Sequence, residues 1–231
     1  MEEYCSRITN LFIFEDVPLP VALFSTSPTD GVVDLSPNGA TKAVSNNITL
    51  TRGPLGNPVG SFLFSDLNNS YVEVENEGEL DTRFSMSVFA WVHPDESAFG
   101  AGPIYDYGCS MWVFPSTWGL EIRYMVRDRS NIHLLRKDGV IKINEWNFIG
   151  TTYDYHTGVA SVWVNHTVVM NKSIGSNVEL ATQRNLTIGA SNNREIRFYG
   201  KVSCLQFYAQ ALSVDQIMKI RARCNQTSKH V

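Results

Sequence analysis

Hydrophobic and polar residues alternate along much of this chain with a period of two, the mark of a strand with one buried face. The stretch F-S-M-S-V-F-A-W-V at 84–92 puts Phe84, Met86, Val88, Ala90 and Val92 on one side. Ser85, Ser87, Phe89 and Trp91 lie on the other, so that side is buried at one end, as in a central strand of a two-layer sandwich. Residues 145–166 read as two strands, 146–153 and 159–165, joined by a turn holding Asp154, Thr157 and Gly158. Both are rich in aromatic and β-branched residues, which suit a pleated surface, and Asp, Thr and Gly supply turn chemistry. So apolar a hairpin needs a second layer over it.

The same reading predicts short strands at 21–24, 32–35, within 41–51, and at 61–64, 71–75, 104–107, 111–114, 120–126, 132–135 and 140–143. It continues with 168–174, 186–188, 197–199 and 202–208. One stretch reads as helix. Ser213 and Gln216 form a capping box, Ile217 and Ile220 share a face, and Lys219, Arg221 and Arg223 suit the C-terminal half. The expected fold is all-β: a two-sheet antiparallel sandwich with one short C-terminal helix. Residues 1–20, with V-P-L-P at the end, are expected to be an extension or edge strand, because proline excludes a central strand. Residues 21–224 form the single expected domain, and 225–231 a disordered tail.

Composition narrows what such a sandwich does. The chain has 231 residues, 19 basic against 23 acidic, so no overall basic field points to nucleic acid. No apolar run approaches the ~18 residues that span a bilayer. Asn47, Asn68, Asn165, Asn171, Asn185 and Asn225 each start an N-x-[ST] triplet, which points to an exported glycoprotein. The chain opens without a basic-then-apolar leader, so a secreted form is expected to have lost one. The four cysteines suit an oxidising compartment. Cys204 with Cys224 is the favoured pair, closing a helix back on a strand, which leaves Cys5 for Cys109.

The order of landmarks resembles the laminin G-like domains of the concanavalin A-like lectin/glucanase superfamily. F-S-M-S-V-F-A-W-V-H-P is similar to their central strand, and W-N-F-I-G-T-T-Y-D-Y-H-T-G-V-A-S-V-W-V-N to their next hairpin. L-T-I-G-A and F-Y-G-K-V-S-C-L-Q-F-Y-A-Q-A-L-S-V-D-Q-I resemble their closing strands and helix. The resemblance covers about residues 20–224 and implies a two-sheet jelly roll. Relatives often place Asp-Gly or Asn-Gly at the bend after the hairpin. Asn165-His166-Thr167 is expected to make a poorer tight turn there. Related pentraxins hold calcium through an acidic loop that here reads Ala190-Ser191-Asn192-Asn193-Arg194-Glu195, short of the carboxylates a hard cation wants. Asp34 and Asn38 remain as candidate calcium ligands, beside the alternative of Asx turn chemistry.

Three function classes follow. Glycoside hydrolysis needs two opposed carboxylates, and the one acidic cluster places Glu73 and Glu75 on a strand face turned to solvent. No catalysis is expected. A lectin would use exposed aromatics and amides, and Tyr105, Tyr107, Trp112, Trp118, Tyr124, Asn131 and His133 crowd the middle of the chain. Trp118, in a turn between Thr117 and Gly119, is the best exposed candidate. An adhesion module would bind an extracellular protein or itself, as the resemblance implies. That module, with a protein partner on a cell surface or in matrix, is the expectation; a lectin, calcium-assisted or not, is the alternative. Sequons at Asn165, Asn171 and Asn185 would shield the hairpin end and move recognition to residues 104–134.

Overall fold

The computed structural model describes residues 16–37, 42–65, 69–96, 100–128 and 131–223. Among the described residues, sixteen strands form two antiparallel sheets and one short α-helix packs against them. The first strands are β1 (Ala22–Ser27), β2 (Gly31–Asp34), β3 (Ala43–Asn46), β4 (Thr49–Thr51), β5 (Ser61–Phe64) and β6 (Tyr71–Val74). Next come β7 (Met86–Pro94), β8 (Gly102–Asp106), β9 (Ser110–Phe114), β10 (Gly119–Met125) and β11 (Ile132–Lys137). The chain continues with β12 (Asn147–Tyr153), β13 (Val159–Val164), β14 (Thr167–Ser173), β15 (Leu186–Ile188), β16 (Gly200–Tyr208) and α1 (Val214–Ile220). Sheet A runs β14-β13-β12-β7-β16-β1-β2, with β5 also on β16 and β4 on β5. Sheet B runs β11-β10-β9-β8-β15-β6-β3. This is the expected jelly-roll sandwich, with the expected short helix near the C-terminal end of the described residues.

The main core lies between the sheets. Met86, Val88, Ala90 and Val92 of β7 meet Ile122, Met111, Val113 and Ile188 of sheet B across it. The other face of β7 is buried as well. Phe89 and Trp91 join Phe148, Trp163, Leu23 and Tyr208 under Leu212, Ile217 and Ile220, so α1 covers the outer face of sheet A. Gly150 stands opposite Phe89, and a Cβ there would sit 2.1 Å from the Phe89 ring. The missing side chain lets that ring lie flat across the hairpin. Ser213 and Gln216 form the expected capping box. The other end of α1 is tied by side chains of the sheet. Trp91 Nε1 donates to the Arg221 carbonyl at 3.1 Å, and Gln206 Nε2 to the Ile220 carbonyl at 3.2 Å. Both satisfy carbonyls that a helix end leaves without partners.

Several expectations change. Phe84 is exposed and precedes the strand, which begins at Met86. Residues 140–143 are loop, because the Val140 and Ile141 amides donate to the Trp118 carbonyl, each at 2.9 Å. Residues 197–199 give one isolated bridge, Ala190 to Arg197. Residues 16–20 take no strand; Val17 instead packs under α1. The rest of the predicted N-terminal edge strand, and the predicted tail, lie outside the described residues. The bend after the hairpin is a tight two-residue turn after all. Asn165 and His166 take positive φ values of 48° and 66°, as a type I′ turn requires, which Asn tolerates. Phe148 fixes Asn165 from both sides: its carbonyl accepts from the Asn165 amide at 2.7 Å, and its amide donates to Asn165 Oδ1 at 3.2 Å.

The cysteine pairing also needs correction. Cys109 is a free, fully buried thiol of the inter-sheet core, so it does not pair with Cys5. Burial among apolar side chains pushes its thiol up to about 12. Cys204 is disulfide-bonded. Cys5 and Cys224 lie outside the described residues.

Candidate functional site

Among the described residues no α-helix covers the outer face of sheet B. Strand alternation sets what it shows. In β9 Met111 and Val113 point into the core, which leaves Ser110, Trp112 and Phe114 outward. In β10 Leu120, Ile122 and Tyr124 point inward, which leaves Glu121, Arg123 and Met125 outward. The register then places Glu121 between Trp112 and Arg136, and Arg123 between Ser110 and Leu134.

Two arginines lie flat on two aromatic rings. The Arg123 guanidinium sits 3.9 Å from the Trp112 ring centroid, and that of Arg136 sits 3.9 Å from Phe114. Such stacks join charge attraction to the ring face with burial of the ring. Glu121, nearly buried between them, ties the pair together. It accepts from Arg123 Nε at 2.7 Å and lies 3.8 Å from an Arg136 nitrogen. Trp112 Nε1 donates to Ser110 Oγ at 2.9 Å.

The turn between β9 and β10 adds an exposed ring. Pro115–Thr117 form one 3-10 turn, and Trp118 after it is left-handed, with φ of 52°. Trp118 is 60% exposed, yet its backbone is pinned. Its amide donates to the Pro115 carbonyl at 3.2 Å, and its carbonyl takes the Val140 and Ile141 amides. Beside it Asp138 accepts from Thr117 Oγ1 and from Arg136 Nε, both at 3.0 Å. Those two bonds, Arg136 first, hold the Asp138 carboxyl below its usual value. A Cβ on Gly119 would lie 2.4 Å from the Asp138 carboxylate, so a side chain there would push that carboxylate aside. Past the stacks, Ile132 and Leu134 of β11 are 53% and 48% exposed. Farther along the same face Arg194 pairs with Glu73 and sits over Tyr71, and Asn192 binds Asp106 through its amide and side chain at 3.2 Å each.

The predicted site residues divide. Tyr105, Tyr107 and Tyr124 are fully buried in the inter-sheet core and cannot reach a ligand. Tyr124 shares the parity of Leu120 and Ile122; its hydroxyl bonds Thr151 and the Thr152 carbonyl. Tyr107 bonds Thr82 at 2.9 Å, and its ring meets that of Tyr105 edge-on at 5.8 Å. Burial raises all three tyrosines well above the ordinary phenol value. Trp112 does lie on the open face, under Arg123, and Trp118 is the exposed ring expected. Asn131 is exposed just before β11, and His133 is half-buried on the opposite parity from Leu134. The expectation missed Glu121, Arg123 and Arg136. The E-x-R alternation in β10 was its one trace.

The candidate calcium ligand Asp34 is spoken for. Its Oδ1 accepts from the Leu23 and Ser36 amides, each at 2.9 Å, the Asx turn alternative. Asn38 lies outside the described residues. No group of three or more His, Cys, Asp or Glu poised to hold a metal occurs among the described residues. Of the sequon asparagines, Asn47, Asn171 and Asn185 are exposed and Asn165 is half-buried in its turn. Asn68 and Asn225 lie outside the described residues. Asn171 pairs with Ser161 on the outward side of sheet A, so a glycan there would stand on that sheet's face, away from the stacks.

Residues 66–218 match a laminin G family model described as concanavalin A-like lectin/glucanases superfamily. A sequence search among curated proteins gives no match. Among solved structures, the botulinum neurotoxin serotype D binding domain superposes with TM-score 0.69 at 15% identity, over 89% of this chain and 52% of that one. The serotype D ligand binding domain in complex with N-acetylneuraminic acid gives 0.69 at 13%, over 88% and 51%. The binding domain of Paraclostridial Mosquitocidal Protein 1 gives 0.70 at 14%, over 89% and 52%. The chain therefore spans about half the length of these structures, and at such identities the likeness is one of fold.

Proposed function

We propose that this chain, which belongs to the concanavalin A-like lectin/glucanase superfamily, is an extracellular recognition module without catalysis. Its ligand is a protein partner on a cell surface or in matrix, met by the outer face of sheet B. The observation that carries this reading is the stacked pair Arg123–Trp112 and Arg136–Phe114 between exposed Trp118 and exposed Ile132 and Leu134. Aromatic and arginine anchors with apolar neighbours are what protein interfaces concentrate. The solved structures it resembles are named as binding domains, which supports a binding role. Glu73 is tied to Arg194 in an ion pair on the outer face of sheet B, which supports a structural rather than a hydrolytic part for it. The disulfide at Cys204 and the exposed sequons support export.

A glycan ligand is the second reading. Trp118 offers a flat ring beside the hydroxyl of Thr117 and the charges of Asp138 and Arg136, the mix that holds a sugar. One of the similar structures was solved with N-acetylneuraminic acid.

Flow cytometry with the full chain from a secretory host separates these readings. Binding to cells is expected to fall in Trp118→Ala and in Arg123→Ala, and to vanish from protease-stripped cells. Loss on glycosidase treatment alone would move the ligand to the glycan. Undiminished binding by both variants would defeat the open face as the site. The same preparation tests export: enzymatic deglycosylation is expected to lower its mass, and an unchanged mass would defeat the glycoprotein reading.

A further inference from the structure

One cross-strand row runs over the open face. Glu73, Thr187, Asp106, Ser110 and Arg123 stand side by side on β6, β15, β8, β9 and β10. Each is flanked in sequence by two core residues, so all five point outward. Thr187 is nonetheless only 4% exposed, because the chain folds back over it. Ala190 bridges to Arg197, and residues 191–196 form the tip of that hairpin. The tip lays two side chains on the row. Asn192 spans Thr187 and Asp106: its side-chain oxygen accepts from Thr187 Oγ1 at 3.1 Å, and its side-chain nitrogen donates to Asp106 Oδ1 at 3.2 Å. Its backbone amide donates to Asp106 Oδ2 at 3.2 Å. Arg194 pairs with Glu73 at 2.5 Å and sits 4.7 Å from the Tyr71 ring centroid. None of these contacts buries an apolar side chain of the tip. Its one large apolar side chain, Ile196, is exposed, while Ala190 and Phe198 at its base are buried. A segment without an apolar anchor opens at lower cost than the sandwich beneath it.

We propose that residues 191–196 are a self-ligand, a strap that a partner protein displaces from the row. The partner then lays an arginine on Glu73 and Tyr71, and an asparagine or glutamine on Asp106 and Thr187. The inference rests on the recognition reading above and extends its site from the Arg123–Trp112 stack to β6. The present occupant defines the chemistry. Asp106 and Thr187 offer an acceptor and a donor side by side, the complement of a carboxamide. Glu73 and Tyr71 join a carboxylate to a ring face, which suits a guanidinium. The exchange replaces one arginine with another, so Glu73 keeps a cation, and the room the partner needs is the room the strap leaves. The released Arg194 is half-exposed already and passes into water at little cost. A closed strap lowers apparent affinity by the fraction of molecules that are open.

Arg194→Ala and Glu73→Ala cut the same exposed ion pair from opposite sides, which makes their signs decisive. In the full chain from a secretory host, Arg194→Ala is expected to bind cells about threefold more tightly, since it frees the strap and keeps the receptor. Glu73→Ala frees the strap but removes the receptor, and is expected to bind about threefold more weakly. Changes of equal sign, or no change in either, would overturn the strap. The direct probe is a copy of the tip, acetylated and amidated Ser-Asn-Asn-Arg-Glu-Ile. It is titrated into the millimolar range, the effective concentration that a short tether gives the native tip. It is expected to shift the NMR amide signals of Thr187 and Asp106 in the Asn192→Ala/Arg194→Ala double variant, and not when Glu73→Ala is added. No shift in the double variant, or shifts elsewhere, would overturn the proposal. So would self-association of the unaltered chain that Glu73→Ala abolishes, since a second copy would then be the occupant. If both strap variants bind cells as the unaltered chain does while Trp118→Ala still loses binding, the strap is wrong and the recognition module stands. If Trp118→Ala and Arg123→Ala also bind undiminished, the module falls, and the tip peptide alone decides the strap.

Discussion

The sandwich has two outer faces built from the same residue types and finished in different ways. On sheet A, Trp91 is covered by α1: its indole N–H donates to the Arg221 carbonyl, and the Arg221 guanidinium lies 4.8 Å from the ring. On sheet B, Trp112 donates to Ser110 within its own strand and wears only Arg123. In both cases an arginine covers a tryptophan. On sheet A, though, the polar needs of the ring and of the helix end are met by each other, so neither is complete alone. On sheet B the stacks are tied by Glu121, Ser110, Asp138 and Thr117, all within the sheet and its β9–β10 and β11 ends. The difference teaches that the open face is a finished surface. The exposed apolar side chains there include Trp118, Ile132, Leu134 and, on β3, Val44.

The contrast breaks hardest on the covered side. Ile217 is fully buried between α1 and Trp91, Phe148 and their neighbours. Ile217→Ala is expected to cost about 2–5 kcal/mol in urea unfolding, the range for a buried aliphatic cut to alanine. Leu134→Ala, a change of similar size on the open face, should stay within about 0.5 kcal/mol. Comparable losses would mean that the open face is packed against something within the chain.

Glu121 sharpens the same point one step down. Glu121→Ala leaves two half-exposed arginines without their shared carboxylate. A bond to a charged group contributes about 1.5–3 kcal/mol when buried, and solvent screening of the arginines lowers the expected loss to about 1 kcal/mol. Unfolding should remain two-state with an unchanged m-value, and binding should fall with the stacks disordered. A loss as large as that of Ile217→Ala would make the stacks part of the core rather than of the surface.

The two faces also differ in how far sequence alone reveals them. The central strand and the hairpin were legible because their alternation is regular and their turn residues are strong. The buried tyrosines were not read correctly, because a crowd of aromatics looks alike whether it packs a core or lines a site. The signal was present in part: in G-L-E-I-R-Y-M, Tyr124 shares its side with Leu120 and Ile122, and so belongs inside. Tyr105 lies near a bulge between Pro103 and Tyr105 that breaks such counting. Arg123 over Trp112 and Arg136 over Phe114 depend on how three strands are registered, which no single stretch encodes. Elimination alone pairs Cys109 with Cys5, and only its place in the core shows it to be free.

Trp118 tests why a strained residue is kept. A left-handed conformation disfavours side chains with a Cβ, and a pinned backbone cannot relax. Trp118→Gly is expected to raise stability by about 0.5 kcal/mol, since only glycine takes that conformation without strain. The same variant should lose ligand. Stability gained with binding lost would show that the ring is held out for recognition. Stability lost would give the ring a structural part in the open face.

Acid offers the mildest cut, and it falls on the open face. Asp138 is held below its ordinary carboxyl value by Arg136 first and Thr117 second. A depressed group contributes stability that is present above its unfolded value, about 4, and is lost as pH falls through its folded one. The Asp138 group is fully exposed, so global stability should hardly respond. The local consequence is measurable: below about pH 4 the Trp118 turn should loosen, seen as a shift of the Trp118 indole signal by NMR. Asp138→Asn should hold that signal at one position through the same range. The Trp91 indole, under α1, should stay still in both proteins while the fold persists. If Trp91 moves together with Trp118, the two faces are not independent, and acid is loosening the sandwich as a whole rather than the turn that presents the ring.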